Sequence, residues 1–144
     1  DSLLAGELSA ETFGEFIAPD LGALAASFPA RVGYYAKASH PDQLSAPAFA
    51  SAPWAGVGVD GRWSMAGLLQ APRRGFVQGN FDPALLLLPE AEFRLALDLY
   101  LEPLTALRAE QRRGWICGLG HGVLPATPEA HVRIFVDTVR QACA

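Results

Sequence analysis

Trp115-Ile116-Cys117-Gly118-Leu119-Gly120-His121-Gly122-Val123-Leu124-Pro125-Ala126-Thr127-Pro128-Glu129-Ala130-His131 is the stretch whose reading decides the fold. Trp115 to Leu119 is apolar and uncharged, as a strand buried on both faces should be. Gly120 and Gly122 bracket His121, which allows a sharp backbone turn and leaves the imidazole uncrowded. Thr127, Pro128 and Glu129 read as a helix start, with a capping hydroxyl, a proline at the first helical position and an acid in the first turn. Val132, Phe135, Val136 and Val139 then recur at helical spacing. The order is strand, glycine turn, helix, with His121 in the loop where α/β folds bind their substrates.

The chain before this stretch repeats the same alternation. Glu90 to Arg113 is helical in composition, with Phe93, Leu97, Tyr100, Leu101, Leu104 and Leu107 on one face, Pro103 as a kink or split and Gly114 as the stop. Further upstream, Arg31 to Ala36, Ala55 to Val59 and Gly75 to Gln78 read as short strands. A helix is expected from Ser64 to Gln70, a helical turn over Pro83 to Leu87 and little more than one turn around Asp42 to Leu44. The first helix begins at a Ser9 cap, carries Phe13, Phe16, Ile17, Leu21, Leu24, Ala25 and Phe28 as an apolar face, and is interrupted at Pro19. Strands alternating with helices imply an α/β fold with parallel pairing and right-handed crossovers. Four such strands amount to half of an eight-stranded (β/α)8 TIM-type barrel, so residues 1–144 read as a single partial-barrel region. Ser2, Lys37, Asp60, Gln78 and His121 fall at or just after the C-terminal ends of strands, the catalytic face of such barrels.

Composition narrows the function further. Of 144 residues, 51% are hydrophobic and only 18% charged, which points to surface meant to be covered. No apolar run approaches the ~18 residues of a membrane span, so no membrane partner is expected. The N-terminus opens on Asp1 without a basic flank, so no secretory signal is read and a cytoplasmic location follows. Net charge is −4 and the basic residues cluster only at Arg73-Arg74 and Arg112-Arg113, which argues against nucleic acid. Cys117 and Cys143 form neither a disulfide framework nor a metal pattern, and Cys117 reads as core. His40 and His131 read as solvated. Lys37 and Asp60 read as partners of each other or of the sheet end, and Gln78-Gly79-Asn80 with Asp82-Pro83 as a turn-stabilising loop.

Gly118-Leu119-Gly120-His121-Gly122-Val123-Leu124-Pro125, with Thr127-Pro128-Glu129 after it, resembles the C-terminal motif of uroporphyrinogen decarboxylases. Val77-Gln78-Gly79-Asn80-Phe81-Asp82-Pro83-Ala84-Leu85-Leu86 resembles a second motif of that family, and Asp1-Ser2-Leu3-Leu4-Ala5-Gly6-Glu7-Leu8-Ser9 a third, in the family's order. Members are more than twice as long, so the resemblance covers the C-terminal part of the family's chain, and it implies a portion of a (β/α)8 barrel. It further implies decarboxylation of the acetate side chains of uroporphyrinogen to coproporphyrinogen, in haem and tetrapyrrole synthesis, with no metal or organic cofactor. Ser2 matches the family's serine near the substrate side chains. His121 matches its histidine near a substrate carboxylate, a substrate-binding and catalytic role. The family's N-terminal arginines, its pyrrole-binding aspartate and its site tyrosine have no match here. Gly118 stands where Asn is common and Gly61 where Trp is usual, which bears on substrate fit.

Other readings stand beside this one. His121 between glycines is also what a structural turn looks like, and Ser2 also suits a capping position. A corrinoid or thiol methyltransferase of the same superfamily would act through zinc, but two widely separated cysteines assemble no zinc set. A non-catalytic half-barrel with an assembly role is supported by the absent arginines. In every case four strands alone leave two open edges and a bare inner face, so self-association or pairing with an N-terminal half-barrel is expected.

Overall fold

The computed structural model describes residues 7–143, so Ser2 and the rest of the first motif's opening lie outside the described residues. The described residues form one four-stranded sheet of β1 (Gly33–Tyr35), β2 (Gly56–Gly58), β3 (Phe76–Phe81) and β4 (Trp115–Leu119). Every pair is parallel and the spatial order β1-β2-β3-β4 is the sequence order. That order has a consequence for layering. Right-handed crossovers that always step the same way along a sheet put all their helices on the same face. The register line Tyr34, Val57, Val77, Trp115 faces that helix layer, and all four residues pack into the hydrophobic clusters there.

The next register line, Tyr35, Gly58, Gln78, Ile116, faces the other way, and Tyr35, Gln78 and Ile116 are all exposed. This inner face is lined by aromatic rings lying over glycines. A Cβ on Gly56 would sit 2.4 Å from Cγ of Phe76, and one on Gly58 would sit 3.0 Å from Cδ2 of Tyr35. Large rings on β1 and β3 therefore lie across β2 because β2 carries no side chain there. Strand β4 has the limits read from the sequence, β1 and β2 are trimmed to three residues each, and β3 runs on to Phe81.

The helix layer departs from the sequence expectation in instructive ways. Ser9 caps α1 (Ala10–Thr12), its hydroxyl accepting from Thr12 N at 3.1 Å. A π turn over Phe13–Ile17 leads into α2 (Ala18–Ser27). Ala18 N–H reaches back to the Phe13 carbonyl, and this wide turn comes just before Pro19, which has no N–H to donate. The chain thus passes Pro19 without ending the helix. Phe13 and Ala25 are buried, with Ile17 and Leu21 packed beside the cluster, while Phe16, Leu24 and Phe28 point outward, so the true apolar face is narrower than the seven residues of the pattern. Between β1 and β2 lie α3 (Pro41–Leu44) and a second turn, α4 (Pro47–Ala50), where the sequence predicts little more than the one turn around Asp42 to Leu44. Phe49 of α4 meets Tyr34 edge-on and lies tilted against Trp54.

Helix α5 (Met65–Gln70) begins at a Ser64 cap, and a 3-10 turn (Pro83–Leu87) follows β3. Pro103 lies in the last turn of α6 (Glu90–Thr105), and α7 (Ala109–Arg112) restarts after the break, as a split at proline requires. In α8 (Glu129–Ala142) the buried stripe is His131 and Phe135 with Ile134 and Val139 beside them, while Val136 is exposed. His131 is therefore not solvated. It stacks on Phe93 at 4.9 Å, and its Nδ1 donates to the Leu86 carbonyl at 2.9 Å, so the buried ring has a hydrogen-bond partner. Thr127 does not cap α8. Its hydroxyl donates to the Leu124 carbonyl at 2.7 Å and closes the preceding turn.

Phe81, Leu86, Phe93, Leu97 and Phe135 form the core between β3, β4, α6 and α8. Leu97 is 1% exposed and Leu95, two positions away on α6, is 61% exposed. Leu97→Ala is expected to cost about 2–5 kcal/mol in urea unfolding. Leu95→Ala is expected to stay within about 0.5 kcal/mol. Cys117 packs against the same cluster, and burial, reinforced by Cys143, pushes its thiol up to about 12 against a partial pull down from Tyr100. In a Cys143→Ser variant the remaining thiol is expected to react with an alkylating reagent at pH 8 at least about a hundredfold more slowly than free cysteine. A rate near that of free cysteine would show that Cys117 is open to solvent.

Candidate active site

The loop after β4 is held from three sides. Gly120 N–H donates to the Phe81 carbonyl at 2.7 Å, extending the β3–β4 ladder one step past the strand. The Gly120 carbonyl accepts from the Tyr35 hydroxyl at 2.7 Å. A Cβ on Gly120 would lie 2.8 Å from Gly61 N and 3.0 Å from Asp60 Cα, so only glycine lets the loop press onto the turn after β2. His121 follows directly and is half-buried. Its Nδ1 lies 3.0 Å from the Gly122 carbonyl, which can only accept, so Nδ1 carries the proton and Nε2 is left for a ligand.

The neighbouring turn is built around Asp60, a carboxylate with 4% exposure. Oδ2 accepts from Ala38 N at 2.6 Å and Oδ1 from Arg62 N at 3.1 Å, with the Arg62 guanidinium 3.7 Å from Oδ2. The end of β1 and Arg62, rather than Lys37, hold the carboxylate, so of the two partners read from the sequence it is the sheet end that Asp60 meets. The N–H of Ala38 ties the end of β1 to the end of β2 through this side chain. Asn80, equally buried, does the same from β3. Its Nδ2 donates to the carbonyls of Asp60 and Trp63 at 2.9 and 2.7 Å, and its backbone N–H donates to Tyr100 Oη at 3.1 Å. Gln78-Gly79-Asn80 is accordingly strand rather than loop, with Asn80 as the brace, while Asp82 caps the 3-10 turn through Ala84 N at 2.9 Å.

Two clefts meet at His121. One, of about 360 Å³, is walled by Tyr35, Gly58, Gln78, Leu119 and His121. The other, of about 200 Å³, is bounded by Lys37, Asp60, Arg62, Asp82 and His121. Four of the five sequence candidates therefore converge on the C-terminal rim of the sheet, with His121 common to both clefts, and Ser2 lies outside the described residues. Among the described residues, the hydrogen-bond donors at this rim include Lys37 Nζ and Arg62 Nη1, while Arg62 Nη2 lies 3.7 Å from Asp60 Oδ2. The two carboxylates already accept from backbone and Arg62. Such an arrangement suits an anionic, carboxylate-bearing ligand beside an apolar wall. A larger groove of about 810 Å³ lies among Phe49, Trp54, Trp63 and Leu68, but its Arg73 is committed to the carbonyls of Leu69, Gln111 and Arg113, and it offers shape without reactive groups.

Sequence reading missed Tyr35, Arg62 and Asn80 as parts of the rim. The signal for Tyr35 was present in the alternation of Gly33-Tyr34-Tyr35 opposite Gly56-Val57-Gly58, which pairs a ring with a glycine on one face. Among the described residues no group of three or more His, Cys, Asp or Glu is placed to hold a metal ion, and Cys117 faces Tyr100 and the helix layer rather than His121. No helix of the described residues is long and apolar enough to cross a membrane.

Comparison with known proteins fits this geometry. The family model for uroporphyrinogen decarboxylase (URO-D) matches residues 1–142. The uroporphyrinogen decarboxylase of Chlamydia trachomatis serovar L2 is 48% identical over 63 residues, which is 44% of this chain and 17% of that protein. That of Prochlorococcus marinus strain NATL2A is 32% identical over 145 aligned positions, 92% of this chain and 37% of that protein. The chain thus spans little more than a third of the length of that relative, and its four parallel strands alternating with helices are a portion of the family's barrel. By a match over nearly its whole length, the chain belongs to the uroporphyrinogen decarboxylase family.

Proposed function

We propose that this chain forms the C-terminal part of a cofactor-free uroporphyrinogen decarboxylase, residues 1–144 being one partial-barrel unit that acts in the cytoplasm with the remaining half of the barrel. The observation that carries this reading is His121, shared by two clefts on the rim with Nε2 unclaimed among the described residues, within the Gly120-His121-Gly122 motif. The donors at the rim suit a substrate with many carboxylates, and the cleft beside Tyr35 and Leu119 suits the apolar edge of a pyrrole.

The chemistry asks little covalent work of the protein. A proton added to a ring carbon makes the pyrrole an electron sink. The acetate carboxylate then leaves as carbon dioxide, and the bonding pair moves into the ring. A second proton, at the side-chain methylene, completes the methyl group, and loss of the ring proton restores the pyrrole. The residues' task is to orient the carboxylate and to hold or move a proton. His121 Nε2 serves as the donor to the reacting carboxylate or as the proton carrier, and Ser2 as a hydroxyl donor to a side-chain carboxylate. A second reading, a half-barrel with an assembly role only, is decided by the same assay.

The test is conversion of uroporphyrinogen to coproporphyrinogen, followed by chromatography of the oxidised porphyrins, in the protein that carries this chain together with the rest of its barrel. Wild type is expected to convert substrate. His121→Gln is expected to lower kcat by about a hundredfold, with Ser2→Ala a smaller loss. No turnover by wild type would leave the assembly reading, and full activity of His121→Gln would remove the histidine from the mechanism.

A further inference from the structure

We propose that Tyr35 is a positioning residue for His121, holding the histidine's loop from across the inner face of the sheet. The proposal rests on the reading of His121 given above, and its geometry stands apart from that reading. Tyr35 belongs to β1, at the opposite edge of the described sheet from β4. Its hydroxyl donates to the Gly120 carbonyl, 85 residues away in the chain, at 2.7 Å. The reach is possible because its ring lies on Gly58 of the intervening β2, where a Cβ would come within 3.0 Å of Cδ2.

The contact acts at a sensitive point. Gly120 is the residue before His121, and its N–H is already fixed by the Phe81 carbonyl. That N–H lies in the Leu119–Gly120 peptide, so the Phe81 bond leaves the next peptide, Gly120–His121, free to pivot about Gly120. The Gly120 carbonyl lies in that next peptide, so the Tyr35 hydrogen bond holds its plane, and with it the direction in which the imidazole leaves the backbone. Burial and the nearby Asp60 charge raise the Tyr35 phenol while Arg62 draws it back, so the hydroxyl keeps its proton and remains a donor through neutral pH. Tyr35 also lines the same cleft as His121 and Gln78. The side chain touches the loop rather than reacting atoms, and its effect passes through the peptide.

The distinguishing experiment compares Tyr35→Phe with wild type in the full chain, in the assembly it forms in solution. Phenylalanine keeps the ring on Gly58 and removes only the hydroxyl. The three histidines make the imidazole Cε1–H signals few, and a His121→Gln spectrum assigns the one of interest. Tyr35→Phe is expected to move the His121 signal and to speed amide exchange over residues 120–123 by about fivefold, the worth of one hydrogen bond. The buried His131 signal is expected to stay in place. Gly58→Ala, which lifts the ring instead of removing the hydroxyl, is expected to produce the same two changes. An unmoved His121 signal with unchanged exchange overturns the proposal. So does a Tyr35→Phe chain in which His131 moves together with His121, because that is the mark of a general structural brace. None of these readouts needs turnover, so a protein inactive on uroporphyrinogen sinks the functional reading and leaves this one to be judged on its own.

Discussion

The order of the strands is the constraint on which the rest depends. Four parallel strands laid down side by side in chain order, each crossing back through helices, must place those helices on one face. Tyr34, Val57, Val77 and Trp115 take that face and anchor the hydrophobic clusters. The opposite face is left with Tyr35, Gln78 and Ile116 exposed, and among the described residues β1 and β4 each pair on one side only. A doubly wound sheet would have reversed direction at its middle and covered both faces. This one is covered on one side, which a barrel tolerates because its inner face closes on itself.

The same layering explains where the chemistry collects. Strand ends that all emerge at one rim bring Lys37, Asp60, Gln78 and His121 together although up to 84 positions of sequence separate them. The rim is stiffened by groups that are not themselves reactive. Asp60 ties β1 to β2 through the Ala38 N–H, Asn80 ties β3 to the turn after β2, and Gly120 packs onto that turn with no side chain to hold it away. The chain's histidines show how position separates roles. His131 has its Nδ1 satisfied by the Leu86 carbonyl and its ring on Phe93, so it belongs to the core. His121 spends its Nδ1 on the adjacent Gly122 carbonyl and keeps Nε2 at the cleft.

Much of this was legible in the sequence because the strong signals are local. An uncharged apolar run bounded by Gly114 and Gly120 gave β4 its limits, and Ser9, Ser64 and Asp82 were readable as turn and helix starts. The family motifs then named the fold that alternation alone had suggested. What the sequence hid depends on contacts between distant segments. The apolar periodicity of α8 pointed to Val132 and Val136, but packing against Phe93 turned the helix so that His131 went inside. Of the two partners read for Asp60, Lys37 and the sheet end, it meets the sheet end through the Ala38 N–H, and only tertiary folding settles that choice. For Tyr35 the alternation shows only a ring opposite a glycine, and its tie to the Gly120 carbonyl stays hidden because only tertiary folding brings that loop near.

The central claim is that this sheet needs something more over its bare face and open edges. Size-exclusion chromatography with light scattering on the 144-residue chain, followed by thermal unfolding of the eluted species, tests it most directly. The account predicts association, a mass above the 15.3 kDa of one chain that falls to 15.3 kDa only where cooperative unfolding is lost. A monodisperse 15.3 kDa species that melts in one sharp transition would contradict it, since the four strands would then be stable with one face uncovered.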